Sequence, residues 1–438
     1  MLVSKNSFSE EVDFTKQIAP LLYKKCHSCH NEKRSKGGYR VDQLGLINEP
    51  GESNLWPIVK GQPDESNLWR LVNHQSKPER MPLDSDPLNQ IEKKLIENWI
   101  KEGGSIGKHA PETHLSSILP RPKYPKPPHH YKSPYPATST AFSPDNRFLA
   151  TGGIHEILIF KLVNRTISLS KRIPNLPERI YKILWQDSSE LLVAGGNPGR
   201  TGEVCRVSLK NDNPSLIIPI ASGKDSFFDI VFLDNNKKIA AIGADGKILI
   251  INLNSFEVKK VLMAHSDWGF DLGFADINNQ YHLFSCGRDK SIRSYNLNTS
   301  KLDINLTGFK APIRSLEIHP NSHFGICLML EKNSLITWDI KKEKIGKALT
   351  IEGADPSSIM KLKETLIVGD SSGKLIKLNK TWNKTVLSKK LGQEKIISIS
   401  ASNNHKTLAI SFGSGKISLN NADNFEPILS FLNLPTTQ

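Results

Sequence analysis

The stretch VFLDNNKKIAAIGADGKILIINL, residues 231–253, contains two short apolar runs, IAAIG and ILIINL, each of which follows a polar turn. Runs like the second one occur seven times in the chain, at spacings of 40 to 47 residues; they begin at Glu156, Glu203, Lys247, Ser291, Ser334, Lys374 and Lys416. A repeat of this length, built from strands and turns, is typical of a β-propeller blade. Closing a propeller into a ring leaves no exposed strand edge. Because seven units fill residues 137–438, the sequence predicts an all-β propeller of seven blades.

The chain also contains a region that precedes these repeats. The whole chain has 438 residues, which are too many for one ordinary domain. Residues 111–136 hold eight prolines and no periodic apolar pattern, which is typical of a semi-rigid, extended linker. Residues 1–110 are therefore predicted to form a separate small domain, so that the protein is multidomain.

Helical spacing predicts that this small domain is all-α. Residues 12–25 place apolar side chains on one helical face, and Pro20 is expected to kink this helix or to delay its start. A second helix is expected over residues 86–102, ended by Gly103 and Gly104. The segment 63–72 suggests a third, short helix.

The most informative local motif is CHSCH, residues 26–30. A structural zinc site needs four ligands, usually in two pairs, and the sequence has no second cysteine pair. A redox dithiol is expected beside a βαβ unit, whereas the pattern here is helical. Cys-X-X-Cys-His is the attachment motif of c-type haem, in which the histidine ligates the iron. The motif therefore predicts one covalent haem c, attached through Cys26 and Cys29, with His30 as an iron ligand.

The second axial ligand of such an iron needs a separate argument. Met81 precedes a proline on a loop before the last helix of the small domain, and a thioether is a soft ligand that raises the reduction potential. A methionine in this position could instead fill a gap in a small core. His74 is the competing ligand. We take Met81 as the predicted second ligand.

Composition and charge exclude several classes of protein. The net charge of +14 is spread thinly, without a run of five or six basic residues, which argues against nucleic-acid binding. No apolar run is long enough for a transmembrane helix. The three other cysteines, at 205, 286 and 327, lie singly in apolar runs and are expected to be buried thiols. Residues 1–14 lack the apolar core of a signal peptide.

A family resemblance extends these predictions. The segments carrying CHSCH, GESNLWPIVKGQPDESNLWRLV, RMPL and LIENWIKEGG together resemble the planctomycete-type cytochrome c domain, which is often joined to a WD-repeat propeller. The repeats resemble that propeller family, although Trp338-Asp339 is the only Trp-Asp dipeptide. The resemblance implies covalent haem, electron transfer and export to the periplasm or beyond. An incorrectly chosen start codon or an already trimmed chain would reconcile export with the N-terminal sequence.

Three functions remain open at this point. The leading hypothesis is a c-type haem electron-transfer protein whose propeller docks a redox partner protein. The alternative is a haem-linked redox enzyme with its substrate site on the propeller, which would need a pocket of convergent polar groups at the propeller mouth. A third is an interaction scaffold without redox activity. The sequence assigns no catalytic residue.

Overall fold

The computed structural model describes residues 11–435, except 33, 77–78, 84–85, 164, 211–215, 255, 257, 278–279, 321–323, 332–333 and 352. The chain separates into two compact units, Met1–Pro122 and Lys123–Gln438, which we call the N-terminal unit and the propeller unit. The boundary divides the predicted linker, so that residues 111–122 belong to the first unit and residues 123–136 to the second. Of residues 1–14, which were considered above as a signal peptide, residues 1–10 lie outside the described residues.

The N-terminal unit contains few and short helices. A π-helical turn, Phe14–Ile18, leads into α1, Ala19–Lys25; a two-stranded hairpin follows, and then α2, Asn67–Asn73, and α3, Gln90–Lys101. The hairpin pairs β1, His30–Asn31, with β2, Arg34–Ser35. Single 3-10 turns lie at Lys36–Gly38, Leu44–Leu46 and Leu115–Ile118. The longest helix has 12 residues, so the unit is a small region of few helices and a hairpin.

The last helix of the N-terminal unit starts later than the sequence predicts, whereas its end agrees within one residue. The segment 12–25 does contain a break, and Pro20 lies in the first turn of α1, where its missing N–H costs nothing. The final helix begins at Gln90 and not at residue 86, because Asn89 forms a reciprocal capping box with Glu92. Asn89 accepts the Glu92 N–H at 2.9 Å.

One apolar core holds this unit together. Ile18 and Leu22 from the first helical segments pack with Ile96 and Trp99 of α3, and all four are buried. The Trp99 indole donates to the Ser105 carbonyl at 2.8 Å, which satisfies its only polar atom. Leu115 belongs to the same core, so part of the proline-rich segment packs against the helices of its own unit.

The propeller unit consists, over its described residues, of seven four-stranded antiparallel sheets, which we number as blades 1 to 7 in chain order. Blade 1 contains β3 Thr140–Phe142, β4 Phe148–Gly152, β5 Ile157–Val163 and β6 Thr166–Ile173; blade 2 contains β7 Arg179–Asp187, β8 Glu190–Asn197, β9 Thr201–Ser208 and β10 Leu216–Gly223. Blade 3 contains β11 Phe227–Leu233, β12 Lys238–Gly243, β13 Lys247–Asn252 and β14 Val258–Met263; blade 4 contains β15 Gly269–Ile277, β16 Gln280–Gly287, β17 Ser291–Asn296 and β18 Leu302–Thr307. Blade 5 contains β19 Ile313–Ile318, β20 Phe324–Met329, β21 Leu335–Asp339 and β22 Lys344–Leu349. Blade 6 contains β23 Pro356–Leu362, β24 Thr365–Asp370, β25 Lys374–Leu378 and β26 Thr385–Lys390; blade 7 contains β27 Ile396–Ala401, β28 Thr407–Phe412, β29 Lys416–Asn421 and β30 Pro427–Leu432. The predicted seven-bladed propeller is confirmed.

The blades form a closed ring. The first strand of each blade contacts the first strand of the next, and β27 of blade 7 contacts β3 of blade 1. Each blade is built from four consecutive strands, so no strand is exchanged between the two ends of the chain. Side chains join the two end blades instead. Thr140 and Ser400 share a hydrogen bond of 2.7 Å, and the buried Asn433 bonds to Thr151 and Gly152.

The segment before blade 1 is bound to it by a polar cluster. The Tyr131 hydroxyl donates to the Glu156 carboxylate at 2.5 Å, and Arg172 makes two bonds of 2.7 Å to the same group. Arg172 also donates to the carbonyls of Pro128 and His129. Glu156 has no exposed surface, so this buried carboxylate holds residues 128–131 against the first blade.

Within the described residues, none of the helices is both long and apolar enough to cross a membrane.

Candidate functional site

The CHSCH motif continues α1 as one further turn. The N–H groups of Cys26 and His27 donate to the Leu22 carbonyl at 2.9 and 3.0 Å, and those of Cys29 and His30 donate to the Cys26 carbonyl at 3.1 Å. Residues three and four apart on a helical turn lie on one face. The turn therefore places Cys26, Cys29 and His30 on the same side.

The hairpin after the motif fixes the backbone around its histidine. His30 pairs with Ser35 across the hairpin, and its carbonyl accepts the Val41 N–H at 3.0 Å. The Cys29 carbonyl accepts the Lys36 N–H at 3.1 Å. The motif is thus held by helical bonds on one side and by hairpin bonds on the other.

A cavity of about 630 Å³ opens beside this turn, and we call it the motif cavity. Cys26, Cys29, His30 and Met81 all line it, so the structure brings the four predicted site residues together. Its volume lies within the ~300–1,000 Å³ that is common for ligand sites. Apolar side chains form much of the remaining wall, among them Tyr39, Leu55, Leu68, Leu71, Val72 and Leu88.

His30 has the properties of a neutral imidazole ligand. Burial lowers its pKa, so the uncharged ring predominates at pH 7. Its Nδ1 is buried and has no hydrogen-bond partner among the described residues. The ring packs edge-on against Tyr39 at a centroid distance of 5.3 Å, and the Tyr39 hydroxyl is fixed by a 2.8 Å bond to the Ile47 carbonyl. A buried nitrogen without a partner is the kind of atom that a bound group would satisfy.

The two motif cysteines are free thiols in this structure. Burial, with a smaller contribution from Cys29, raises the pKa of Cys26 to about 12. Reactive redox dithiols instead have a lowered pKa on the attacking thiol. The surroundings of Cys26 therefore do not favour disulfide exchange chemistry.

The candidate side chains for a second iron ligand differ in whether they line the motif cavity. Met81 lies in its wall, where its N–H donates to the Leu71 carbonyl at 3.0 Å. His74 does not line the cavity; its Nε2 lies 3.0 Å from the Glu79 carboxylate. His27 packs on Tyr23 at a centroid distance of 4.8 Å and is also absent from the cavity wall. Of these three side chains, only that of Met81 can reach a group bound in the cavity.

Basic side chains also border the motif cavity, and the CHSCH motif does not predict them. Lys25, Arg34, Lys36 and Arg70 all contribute to its lining. Arg70 is oriented by two bonds to Asn67 Oδ1, of 2.8 and 3.2 Å. The run NEKRSK directly after the motif is the sequence signal that could have revealed part of this cluster. Guanidinium and ammonium groups at a cavity mouth suit carboxylates on a bound molecule.

Two loops approach closely to form one side of this cavity. The Glu52 N–H donates to the Gly37 carbonyl at 2.8 Å, and a Cβ placed on Gly51 would overlap that carbonyl oxygen. Gly37 itself has a positive φ of 63°. These glycines allow the contact between the two loops that closes the cavity wall.

A buried Ser-His-Asp arrangement occurs elsewhere, in blade 4. His265 Nδ1 lies 2.9 Å from Asp289 Oδ1 and its Nε2 lies 3.0 Å from Ser285 Oγ, while Arg293 also bonds to Asp289. The His265 side chain is fully buried and lines neither of the two larger cavities. This network joins the loop before β15 to the β16–β17 hairpin, and we assign it a structural role.

Clusters of three or more His, Cys, Asp or Glu side chains that could hold a metal ion are absent from the residues that the structure describes. A four-ligand zinc site at Cys26 and Cys29 would need two such partners. The donors at the motif cavity are instead one imidazole and one thioether.

One comparison with known proteins matches the part of the chain that contributes most of this cavity. The sequence profile of a family described as planctomycete cytochrome C matches residues 26–84. The match begins at Cys26 and includes His30 and Met81, but it does not extend into the propeller unit. A search of curated proteins gives no match.

Proposed function

We propose that the N-terminal unit is a cytochrome c domain that carries one covalent haem c, and that the protein transfers electrons. The observation that carries this proposal is that Cys26, Cys29, His30 and Met81 line one cavity of about 630 Å³. Two thiols, a neutral imidazole and a thioether are the donor set of a Met/His cytochrome c. The similarity of residues 26–84 to planctomycete cytochrome C supports the same proposal.

The residues of the cavity fit the group and have distinct roles. Cys26 and Cys29 would attach it by thioether bonds, and His30 and Met81 would ligate its iron. When bound, a haem supplies an iron centre that takes up and releases one electron. The apolar wall lowers the local dielectric, which tunes the reduction potential.

The charged residues at the cavity mouth would orient the group. Arg34, Lys36 and Arg70 are suited to bind its two propionate carboxylates. Arg70 is the best prepared of the three, since Asn67 already fixes its guanidinium. Lys25 is less available because it lies 3.4 Å from the Glu92 carboxylate.

We further propose that the propeller docks a redox partner protein, and that the protein is exported. Propellers present loops at two faces and commonly serve as binding platforms. Export follows from the proposed cofactor, since c-type haem is attached outside the cytoplasmic membrane. The resemblance of the repeats to WD repeats belongs to the same proposal.

The test is the absorption spectrum of the purified full-length protein, produced in cells that attach haem c. The proposal predicts a Soret band and sharp bands in the reduced state, with reversible reduction and reoxidation. Protein without a Soret band, with zinc found by metal analysis, would contradict it and support a scaffold function.

One observation favours a second candidate, a redox enzyme with its substrate site on the propeller. A cavity of about 520 Å³ lies in the centre of the ring, and charged side chains converge on it. We call it the channel cavity. A redox enzyme would transfer electrons only as it converts a bound substrate to a product, whereas a simple electron carrier would need no substrate.

A further inference from the structure

The channel cavity is built from equivalent positions of every blade. Each of the seven first strands contributes to its lining, from Thr140 in blade 1 to Ser398 in blade 7. Its volume of about 520 Å³ is within the range of small-molecule sites. The cavity therefore lies on the axis of the ring.

A β-bulge recurs near the start of the first strand in blades 2 to 7. The residues it inserts are Tyr181, Phe228, Phe270, Arg314, Ser357 and Ile397. Bulges redirect side chains and are frequent beside functional sites. All of these residues except Phe270 line the channel cavity.

The bulge residues of blades 2 to 4 form an aromatic surface. The rings of Tyr181 and Phe228 are 5.0 Å apart, and Phe228 lies 5.6 Å from both Phe270 and Trp268. These four rings are half-buried, not sealed in a core. They offer apolar faces on which a flat ring could stack.

One layer deeper, the carboxylates of the channel already have partners. Asp229 lies 2.7 Å from the Lys182 ammonium and accepts the Leu272 N–H at 3.0 Å. Asp271 accepts the Leu316 N–H at 2.9 Å. Burial, together with the neighbouring Asp229, raises the pKa of Asp271 well above its ordinary value.

Two polar groups on neighbouring blades are not used in this way. Arg314, on blade 5, has no hydrogen bond or ion pair to any residue in the described part of the chain. Ser358 Oγ, on blade 6, is buried and likewise lacks a partner there. Asp229 is already paired with Lys182, and Asp271 acts on Arg314 through its charge without a hydrogen bond to it, so the N–H groups of Arg314 have no acceptor in the described part of the chain.

We propose that the channel cavity binds a small aromatic carboxylate. The carboxylate would accept hydrogen bonds from Arg314 and Ser358, while its ring would stack on Tyr181 and Phe228, the two rings of the aromatic surface that line the cavity. A guanidinium is the side chain best matched to a carboxylate. This site is independent of the proposed haem, and it would supply the substrate or effector site that the second candidate function requires.

The test uses the full-length protein and calorimetric titration with benzoate, 4-hydroxybenzoate and 2-naphthoate, each compared with its neutral amide. At least one carboxylate is expected to bind about tenfold or more tightly than its amide, because a hydrogen bond to a charged group is stronger than one between neutral groups. Arg314→Gln should weaken that binding by about tenfold or more, and Ser358→Ala by a smaller factor.

Arg200→Gln, at an exposed position outside the cavity, is the matched control and should bind as the wild type does. Melting temperatures of all variants establish that the ring is intact. If Arg314→Gln does not fold, Ser358→Ala and Phe228→Leu take its place. Absence of binding by every carboxylate, equal binding of acid and amide, or unchanged binding in these variants would overturn the proposal.

Discussion

Asn433 is the residue on which closure of the propeller ring should depend most. Its side chain is fully buried between the end blades, where it accepts from Thr151 Oγ1 at 2.7 Å and donates to the carbonyls of Tyr135 and Gly152 at 2.8 and 2.9 Å. Asn433→Ala removes all three bonds, and each contributes ~1 kcal/mol net. We therefore expect a loss of about 3 kcal/mol in the free energy of unfolding.

This loss should be visible in the melting temperature. About 300 propeller residues at ~2.1 cal/mol/K each give an unfolding entropy near 0.6 kcal/mol/K, so ~3 kcal/mol lowers Tm by about 5 °C. Differential scanning calorimetry of the full-length protein measures it. Asn298→Ala, at an exposed turn of blade 4, is the control and should change stability by less than ~0.5 kcal/mol. A melting temperature of Asn433→Ala equal to that of the control would refute this account of closure.

Three further predictions concern other parts of the molecule. Met81→Ala should lower the reduction potential, because thioether ligation favours ferrous iron; the weak near-infrared band of sulfur-bound ferric iron should disappear with it, and its absence from the native protein would exclude Met81. Burial raises the pKa of Asp289, but the hydrogen bonds from His265, Ser291 and the Ser266 N–H together outweigh burial and lower this pKa. The stabilisation by Asp289 is therefore present above about pH 4, near the pKa of an unfolded aspartate, and is lost as the pH falls further. Asp289→Asn should therefore cost ~1–3 kcal/mol at pH 7 in urea unfolding, with a weaker dependence on pH below 4 than the wild type; an unchanged dependence would contradict this. Tyr131→Phe removes a bond to the buried Glu156 and should cost ~1.5–3 kcal/mol, with faster proteolysis near residue 131; wild-type proteolysis would contradict it.

The repeat period predicted the ring because it reports buried strands directly. The second strand of each blade is buried along most of its length and is largely apolar, as in β12, Lys238–Gly243. Outer strands such as β6, Thr166–Ile173, alternate between exposed and half-buried positions and gave a weaker signal. Asn420 places a polar side chain in the third strand of blade 7, where it is buried and bonds to Ser418 and to the Phe425 carbonyl.

Local helix signals were less decisive than tertiary context. Asn89 and Glu92 form a reciprocal capping box, and this pair sets the start of α3 at Gln90, four residues after the predicted start. The proline-rich segment looked like a free linker because its residues have no periodicity. Its Leu115 and Tyr131 nevertheless make contacts with distant residues, which no local pattern could reveal.

The two cavities differ in how far the sequence could predict them. The motif cavity could be anticipated because Cys26, Cys29 and His30 are close in sequence, and because Met81 precedes a proline on the loop before the last helix of the unit. The channel cavity could not, because its lining comes from seven blades about 40 residues apart. The bulges that set Arg314 in the channel also depend on strand register, which is fixed only in the folded sheet.

The most direct test of the central claim is covalent haem attachment at the CHSCH turn. The full-length protein, produced with c-type maturation machinery, should retain haem staining on a denaturing gel and show the mass of one added haem. The double variant Cys26→Ala/Cys29→Ala should lose both signals, whereas Ser28→Ala, which keeps the spacing, should retain them. Staining that persists in the double variant, or that never occurs in the wild type, would contradict the assignment of a cytochrome c domain.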